Sequence, residues 1–231
     1  MLLGIIGAMN EEVIQLKEVM NLVETREIGG YNFFKGTLLN KEIVLVECGI
    51  GKVNAAICST LLIQEFKVDK VLFTGVAGGL NPDINIGDIV VSTDLIEHDF
   101  DCTAFGYDYG VIPRMESSTF KADETLVNLA KRVASNNFGS DRVFVGTIVS
   151  GDTFVASNDK IKWLRDTFKG ECTEMEGAAV AHVCHILGKP FVIIRSISDK
   201  ANHDANMNFD EFVKLAAQNS KLIIEGMLKE I

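Results

Sequence analysis

Three acids, Glu12, Glu176 and Asp199, follow three different strand regions of the chain, and one arginine, Arg195, lies inside an otherwise apolar strand. Taken singly they are ordinary. A glutamate in a first helical turn is favoured by the helix dipole, and an aspartate behind a strand is often only a cap. Taken together they suggest chemistry. Carboxylates on opposite sides of a reacting centre suit cleavage of a glycosidic bond, where one group protonates the leaving group and another activates water. Arg195 is costly to bury unless it pairs with one of these acids or with a ligand. Phe154, just after Ser150-Gly151-Asp152, offers a flat face to a ring. At this level the reading as solvated and capping residues stays open beside the catalytic one.

Other motifs point away from familiar chemistries. Gly49-Ile50-Gly51-Lys52-Val53-Asn54 lacks the third small residue of a dinucleotide loop and the Ser or Thr of a P-loop. Gly75-Val76-Ala77-Gly78-Gly79 has the wrong spacing too, and either run reads as a tight strand-to-helix turn or as a ligand-facing loop. There is no GxSxG elbow and no HExxH. His182 and His185, with Cys184 between them, could begin a zinc site, but no second ligand pair has suitable spacing, and a packed helix face is the expectation. His98-Asp99-Phe100-Asp101 reads as a loop with capping and turn roles rather than a cation site.

The elements that must position these residues alternate in type. Leu2–Ile6, Ile43–Val46, Lys70–Thr74, Ile89–Ser92, Val143–Val149 and Phe191–Ile197 are short, Val/Ile-rich runs, several apolar throughout, as in strands covered on both faces. Tyr31–Leu39 and Glu42–Glu47 flank Asn40-Lys41 as a hairpin. Helices are expected after Asn10, a candidate N-cap, and over Val53–Phe66, around Leu126–Val133 and over Gly177–Leu187. A last amphipathic helix carries Phe212, Leu215, Ala216, Leu222, Ile223 and Leu228. The alternation predicts an α/β fold, a sandwich around a mixed sheet, with any ligand outside the carboxyl ends of the strands.

The chain has 231 residues and a formal net charge of -10, without a Pro/Ser-rich linker or an internal repeat, so one domain over 1–231 is expected. The acidic balance argues against nucleic-acid and anionic-membrane partners. The odd count of five cysteines, with no CxxC, reads as reduced thiols in a cytoplasmic protein. The apolar start stops at Asn10-Glu11-Glu12, too short for a signal or a span, and reads as a buried first strand.

Several segments carry a resemblance. Gly4-Ile5-Ile6-Gly7-Ala8-Met9 followed by Glu11-Glu12, Gly49–Ala56, Thr103-Ala104-Phe105-Gly106-Tyr107, Val149–Asp152, Glu174-Met175-Glu176 and Arg195–Asp199 together resemble the bacterial 5'-methylthioadenosine/S-adenosylhomocysteine nucleosidases of the nucleoside phosphorylase superfamily. The resemblance runs in order along nearly the whole chain. It implies a three-layer αβα sandwich around a central mixed β-sheet, nucleoside phosphorylase-like, with a homodimer, no cofactor and no metal. It implies hydrolysis of the N9–C1' bond of a 5'-thio-substituted adenine nucleoside.

By position it makes Glu12 the base for the attacking water and Asp199, supported by Ser198, the acid at adenine N7. Glu176 would hold the ribose hydroxyls, with Met175 packed on the ribose and Arg195 on the water side. Phe154 would stack on adenine and the Val155 backbone read its edge. Met9, Ile50 and Phe209 would line the 5'-alkylthio pocket, and Cys102, Phe105 and Pro113 would reach it from the partner subunit. Position 76 departs from the pattern. Val76 stands where many members carry Ser near the water, so Glu12 and Arg195 would hold the water with backbone groups. A phosphorolytic relative would need a cation where this chain has Glu12. The same segments also leave room for a catalytically silent nucleoside-binding protein, or for a specificity that reaches futalosine-type compounds.

Overall fold

The computed structural model describes residues 1–200 and 205–231, the side chains of 205–211 and 213 excepted. The chain runs β1 (Leu2–Gly7), α1 (Asn10–Val19), β2 (Asn21–Ile28), β3 (Tyr31–Leu38), β4 (Lys41–Glu47), α2 (Lys52–Phe66), β5 (Lys70–Gly79) and β6 (Ile89–Glu97). It continues through β7 (Thr119–Lys121), α3 (Glu124–Phe138), β8 (Val143–Ser150), α4 (Asn158–Phe168), β9 (Gly170–Glu174), α5 (Gly177–Ile186), β10 (Phe191–Asp199) and α6 (Ala205–Glu230).

All of these strands form one mixed sheet with helices on both faces, as the alternation predicts. On one face Ile6, Val46 and Phe73 pack with Cys58 and Leu62 of α2 and Val180 and Cys184 of α5. On the other Leu3, Ile5 and Leu72 pack with Leu16 of α1, Leu126 and Val133 of α3 and Ile223 and Met227 of α6. Strand alternation explains the split, since neighbouring residues of β1 point to opposite faces. It also explains two glycines. A side chain at Gly4 would meet Leu62 of α2 at 2.8 Å, and one at Gly7 would meet Val13 of α1 at 2.7 Å. Both helices therefore approach the strand closely.

The sheet is more than a flat middle layer. β1 pairs with β4 and β5 in parallel, and β4, β3 and β2 continue the sheet outward. At the other end β5, β10, β6, β8 and β9 pair in a closed ring. β5 and β6 run several residues beyond the apolar runs that announce them, and Gly75–Gly79 is strand rather than turn. The hairpin turn is Leu39-Asn40, both at positive φ, one residue before the expected pair. Leu215 and Leu222 of α6 are exposed, while Ala216, Ala217, Ile223, Ile224, Met227 and Leu228 form its buried face. Five cysteines are unpaired, all buried but the half-buried Cys102. Among the described residues no helix is long and apolar enough to cross a membrane.

Candidate active site

The carboxyl ends of β1, β5 and β10 converge on one cavity of about 230 Å³. Its floor begins with Glu12. Met9 rather than Asn10 caps α1, and Glu12, in the first turn, reaches back over the helix start. Its Oε2 accepts the amides of Ala8 at 2.5 Å and Met9 at 3.0 Å, and Oε1 accepts Val76 N–H at 3.1 Å. Three backbone donors thus fix a carboxylate that is only 2% exposed. Burial pushes its pKa up, and the nearby Arg195 charge and the amide bonds offset only part of that.

Gly75 makes the close approach possible. It lies beside Arg195 in the β5–β10 register, and a Cβ there would fall 2.7 Å from Glu12 Oε1 and 3.0 Å from Arg195 Nη1. The Arg195 guanidinium is buried, lies 4.0 Å over the Phe73 ring and gives Nη2 to Glu174 at 2.5 Å. The partner of the arginine is therefore a fourth acid, not one of the three expected from sequence. Glu174 closes β9 and accepts the amides of Glu176 at 3.2 Å and Gly177 at 2.7 Å through the oxygen that holds Arg195. Its other oxygen accepts a short bond from the Ser150 hydroxyl, which itself accepts Ala178 N–H at 2.7 Å. Glu174 and Ser150 thereby anchor the start of α5. The general rule that site residues stand at strand ends points to both, but only the fold pairs them.

Glu176 caps α5 and turns its carboxylate to the start of α2, where Oε1 accepts Gly51 N–H at 2.7 Å. Burial, then the charge of Glu174, lifts its pKa to about 8. One guanidinium faces Glu12, Glu174 and Glu176, and a proton on Glu176 relieves the surplus negative charge. At the end of β10 both Ser198 and Asp199 are buried, and Ser198 Oγ donates to Asp199 Oδ2 at 2.9 Å.

The remaining lining is largely apolar. Met9, Ile50, Val76, Val155 and Met175 face the cavity together with the half-exposed Phe154. Cys102, Phe105 and Pro113 do not line it. Phe105 is 82% exposed, in a short 3-10 turn. Phe209 falls among the α6 side chains outside the described residues. The histidine motifs have other partners. His182 pairs with Glu97 at 3.0 Å and stacks on Phe120, which His185 also contacts, while Asp99 takes Lys52. Among the described residues no group of His, Cys, Asp and Glu could hold a metal ion.

The cavity thus joins a buried carboxylate–guanidinium floor, a hydroxyl-backed aspartate and a half-exposed aromatic ring. The sequence pattern of the phosphorylase superfamily matches residues 2–229. The chain belongs to the phosphorylase superfamily. Within that superfamily it belongs with the 5'-methylthioadenosine/S-adenosylhomocysteine nucleosidases. It is 43% identical to the protein of that name from Bacillus cereus (strain G9842), over the full length of both chains. It superposes on the Neisseria meningitidis nucleosidase, solved with methylthio-immucillin-A, with a TM-score of 0.95 and 42% identity, covering 100% and 99% of the two chains. A futalosine hydrolase of Helicobacter pylori strain 26695 is also similar, with a TM-score of 0.94 and 41% identity over 100% and 98%. Against this superfamily background the phosphate-binding question has a local answer. Among the described residues lining the cavity the one cation is Arg195, already paired with Glu174.

Proposed function

We propose that the protein hydrolyses the N9–C1' bond of 5'-methylthioadenosine and S-adenosylhomocysteine, releasing adenine and the 5-thio-substituted ribose. The observation that carries this is the pairing within one cavity of Glu12, held by three amides, with the Ser198-supported Asp199. Glu12 takes a proton from water as the water oxygen bonds to C1'. The C1'–N9 electron pair leaves with the purine, and Asp199 delivers a proton to N7, without which adenine is a poor leaving group. Glu176 binds the ribose hydroxyls, and the positive charge that develops on the ribose favours ionisation of this otherwise protonated carboxyl, whose negative charge then stabilises the oxocarbenium-like transition state. Arg195 stands on the water side, adjacent to Glu12 across Gly75.

Phe154 stacks on adenine, the Val155 backbone reads its edge and Met175 packs on the ribose. Met9 and Ile50 receive the thioether, which needs dispersion contact and no hydrogen bond. Val76 contributes its amide to Glu12 but no hydroxyl to water. A dianionic phosphate would require donors that the paired Arg195 does not supply. Adenine release from 5'-methylthioadenosine that is independent of phosphate tests the reading, and strict phosphate dependence overturns it. Asp199→Asn is expected to abolish turnover while nucleoside binding stays measurable.

Similarity to the futalosine hydrolase supports a second reading at the level of substrate, with a futalosine-type nucleoside in the same cavity. Relative kcat/KM values on the two nucleoside classes decide between them. We also propose a homodimer in which Cys102, Phe105 and Pro113 of a second copy close the 5' end. The exposure of Phe105 supports it. A monomer with full activity at working concentration contradicts it. The unpaired thiols support a cytoplasmic, reducing setting.

A further inference from the structure

The Gly49–Asn54 turn resembles a phosphate loop in its glycines and lysine, yet the two amides that lead into α2 meet carboxylates of the protein. Gly51 N–H goes to Glu176 at 2.7 Å, and Lys52 N–H goes to Asp152 Oδ1 at 2.8 Å. The Lys52 side chain crosses to the end of β6. Its Nζ donates to Asp99 Oδ1 at 2.6 Å and to Glu97 Oε2 at 3.0 Å. Asp99 Oδ2 in turn accepts Asp152 N–H at 3.0 Å. Lys52, Asp99 and Asp152 therefore form a closed ring of hydrogen bonds.

The ring joins two walls of the cavity. On one side it lies next to Gly51, which holds Glu176, and Ile50. On the other Asp152 stands two residues before Phe154. The two walls run close together, since a Cβ added at Gly51 would come 3.1 Å from Asp152 Oδ1. Beneath the Phe154 loop a side chain at Gly151 would collide with the buried His98 ring. Burial works against the Lys52 charge, but its bonds to Asp99 and Glu97 outweigh that and raise its pKa.

We propose that Lys52 is a positioning residue which, through Asp99 and Asp152, fixes the ribose-side turn and the Phe154 loop relative to each other. Its effect on kinetics rests on the nucleosidase function proposed for the cavity, whereas its effect on the two loops does not. The test compares Lys52→Met, Asp99→Asn and their combination, with Lys52→Arg as the conservative variant. Lys52→Met and Asp99→Asn are each expected to raise KM for 5'-methylthioadenosine about tenfold with kcat within about twofold, and the double variant to lose no more than either single one. Lys52→Arg is expected to restore most of the loss.

Amide hydrogen exchange supplies the second readout. In Lys52→Met, residues 49–54 and 150–155 are expected to exchange faster together. An unchanged KM in active enzyme, additive losses in the double variant, or faster exchange in only one segment overturns the proposal. Absence of adenine release by the unaltered protein fails the functional reading alone, because the exchange result still decides whether the ring couples the loops.

Discussion

The floor and the walls of the cavity are both built from carboxylates meeting backbone amides, but over different distances along the chain. On the floor Glu12 serves amides three and four residues away, at the start of its own helix, as well as that of Val76. In the wall the start of α2 has no acid of its own in its first turn and borrows Glu176 and Asp152 from far along the chain. The floor is buried and tightly packed around Gly75. The wall carries the 45% exposed Phe154 and the 56% exposed Ile50. The difference assigns tasks. Under the proposed function a closely held, desolvated floor would govern the chemical step, and a more open wall would govern which ligand is held.

The sharpest way to break this division is Glu12→Gln. It keeps the shape and removes the proposed base, and kcat is expected to fall by about 10³ with KM little changed. Single-turnover adenine release measures it, and a near-normal rate removes the base from the floor. Gly75→Ala comes next. Its methyl would press on both Glu12 and Arg195, so kcat is expected to fall about a hundredfold through misplacement alone. A loss seen in KM only would show that the floor tolerates movement. On the wall, Phe154→Ala is expected to raise KM about fivefold and leave kcat within a small factor, the size of a ring-stacking contribution. A larger fall in kcat there would erase the distinction.

The remaining test is of stability and concerns the proton on Glu176, where floor and wall meet. An ordinary glutamate titrates near 4.5 and this one near about 8, so the fold retains a proton that the unfolded chain releases. The stabilisation from this group is full below about 4.5 and is lost as pH rises through about 8. The Tm of the ligand-free protein is expected to decline over that window, and Glu176→Gln to flatten the decline. An unchanged slope in that variant assigns the proton elsewhere.

Much of the frame is legible in sequence because burial on two faces leaves apolar runs, as in β1, β5 and β10. β2 is not legible. It is a charged edge strand, exposed along most of its length, and it has no hydrophobic period to read. The extension of β5 through Gly75–Gly79 is hidden by its glycines, which look like a turn until the close approach of Glu12 and Arg195 explains one of them. Glu12, Glu176, Ser198 and Asp199 are legible as candidates because they follow strand regions, and Arg195 because a charge interrupts an apolar strand, and they do share one cavity. The Glu174–Arg195 pair is not, because pairing between distant strands leaves no mark on spacing. Nor is the role of Lys52, whose glycine-rich setting suggests an anion from outside while its partners are acids of the same chain.

The closed ring of strands sets a timetable for assembly. β5 meets β10 only when Val71 finds Phe191, a contact between segments made at very different moments of synthesis. Such distant pairings are slow to form because loop closure precedes any compensating contact. Arg195, Ser198 and Asp199 all arrive on that closing strand. A growing chain that already contains Glu12 and Glu176 therefore has half a site and no catalyst. Catalysis as proposed begins only after that strand has paired and a second copy has closed the 5' end, so its appearance during refolding is expected to follow closure of the ring and never to precede it.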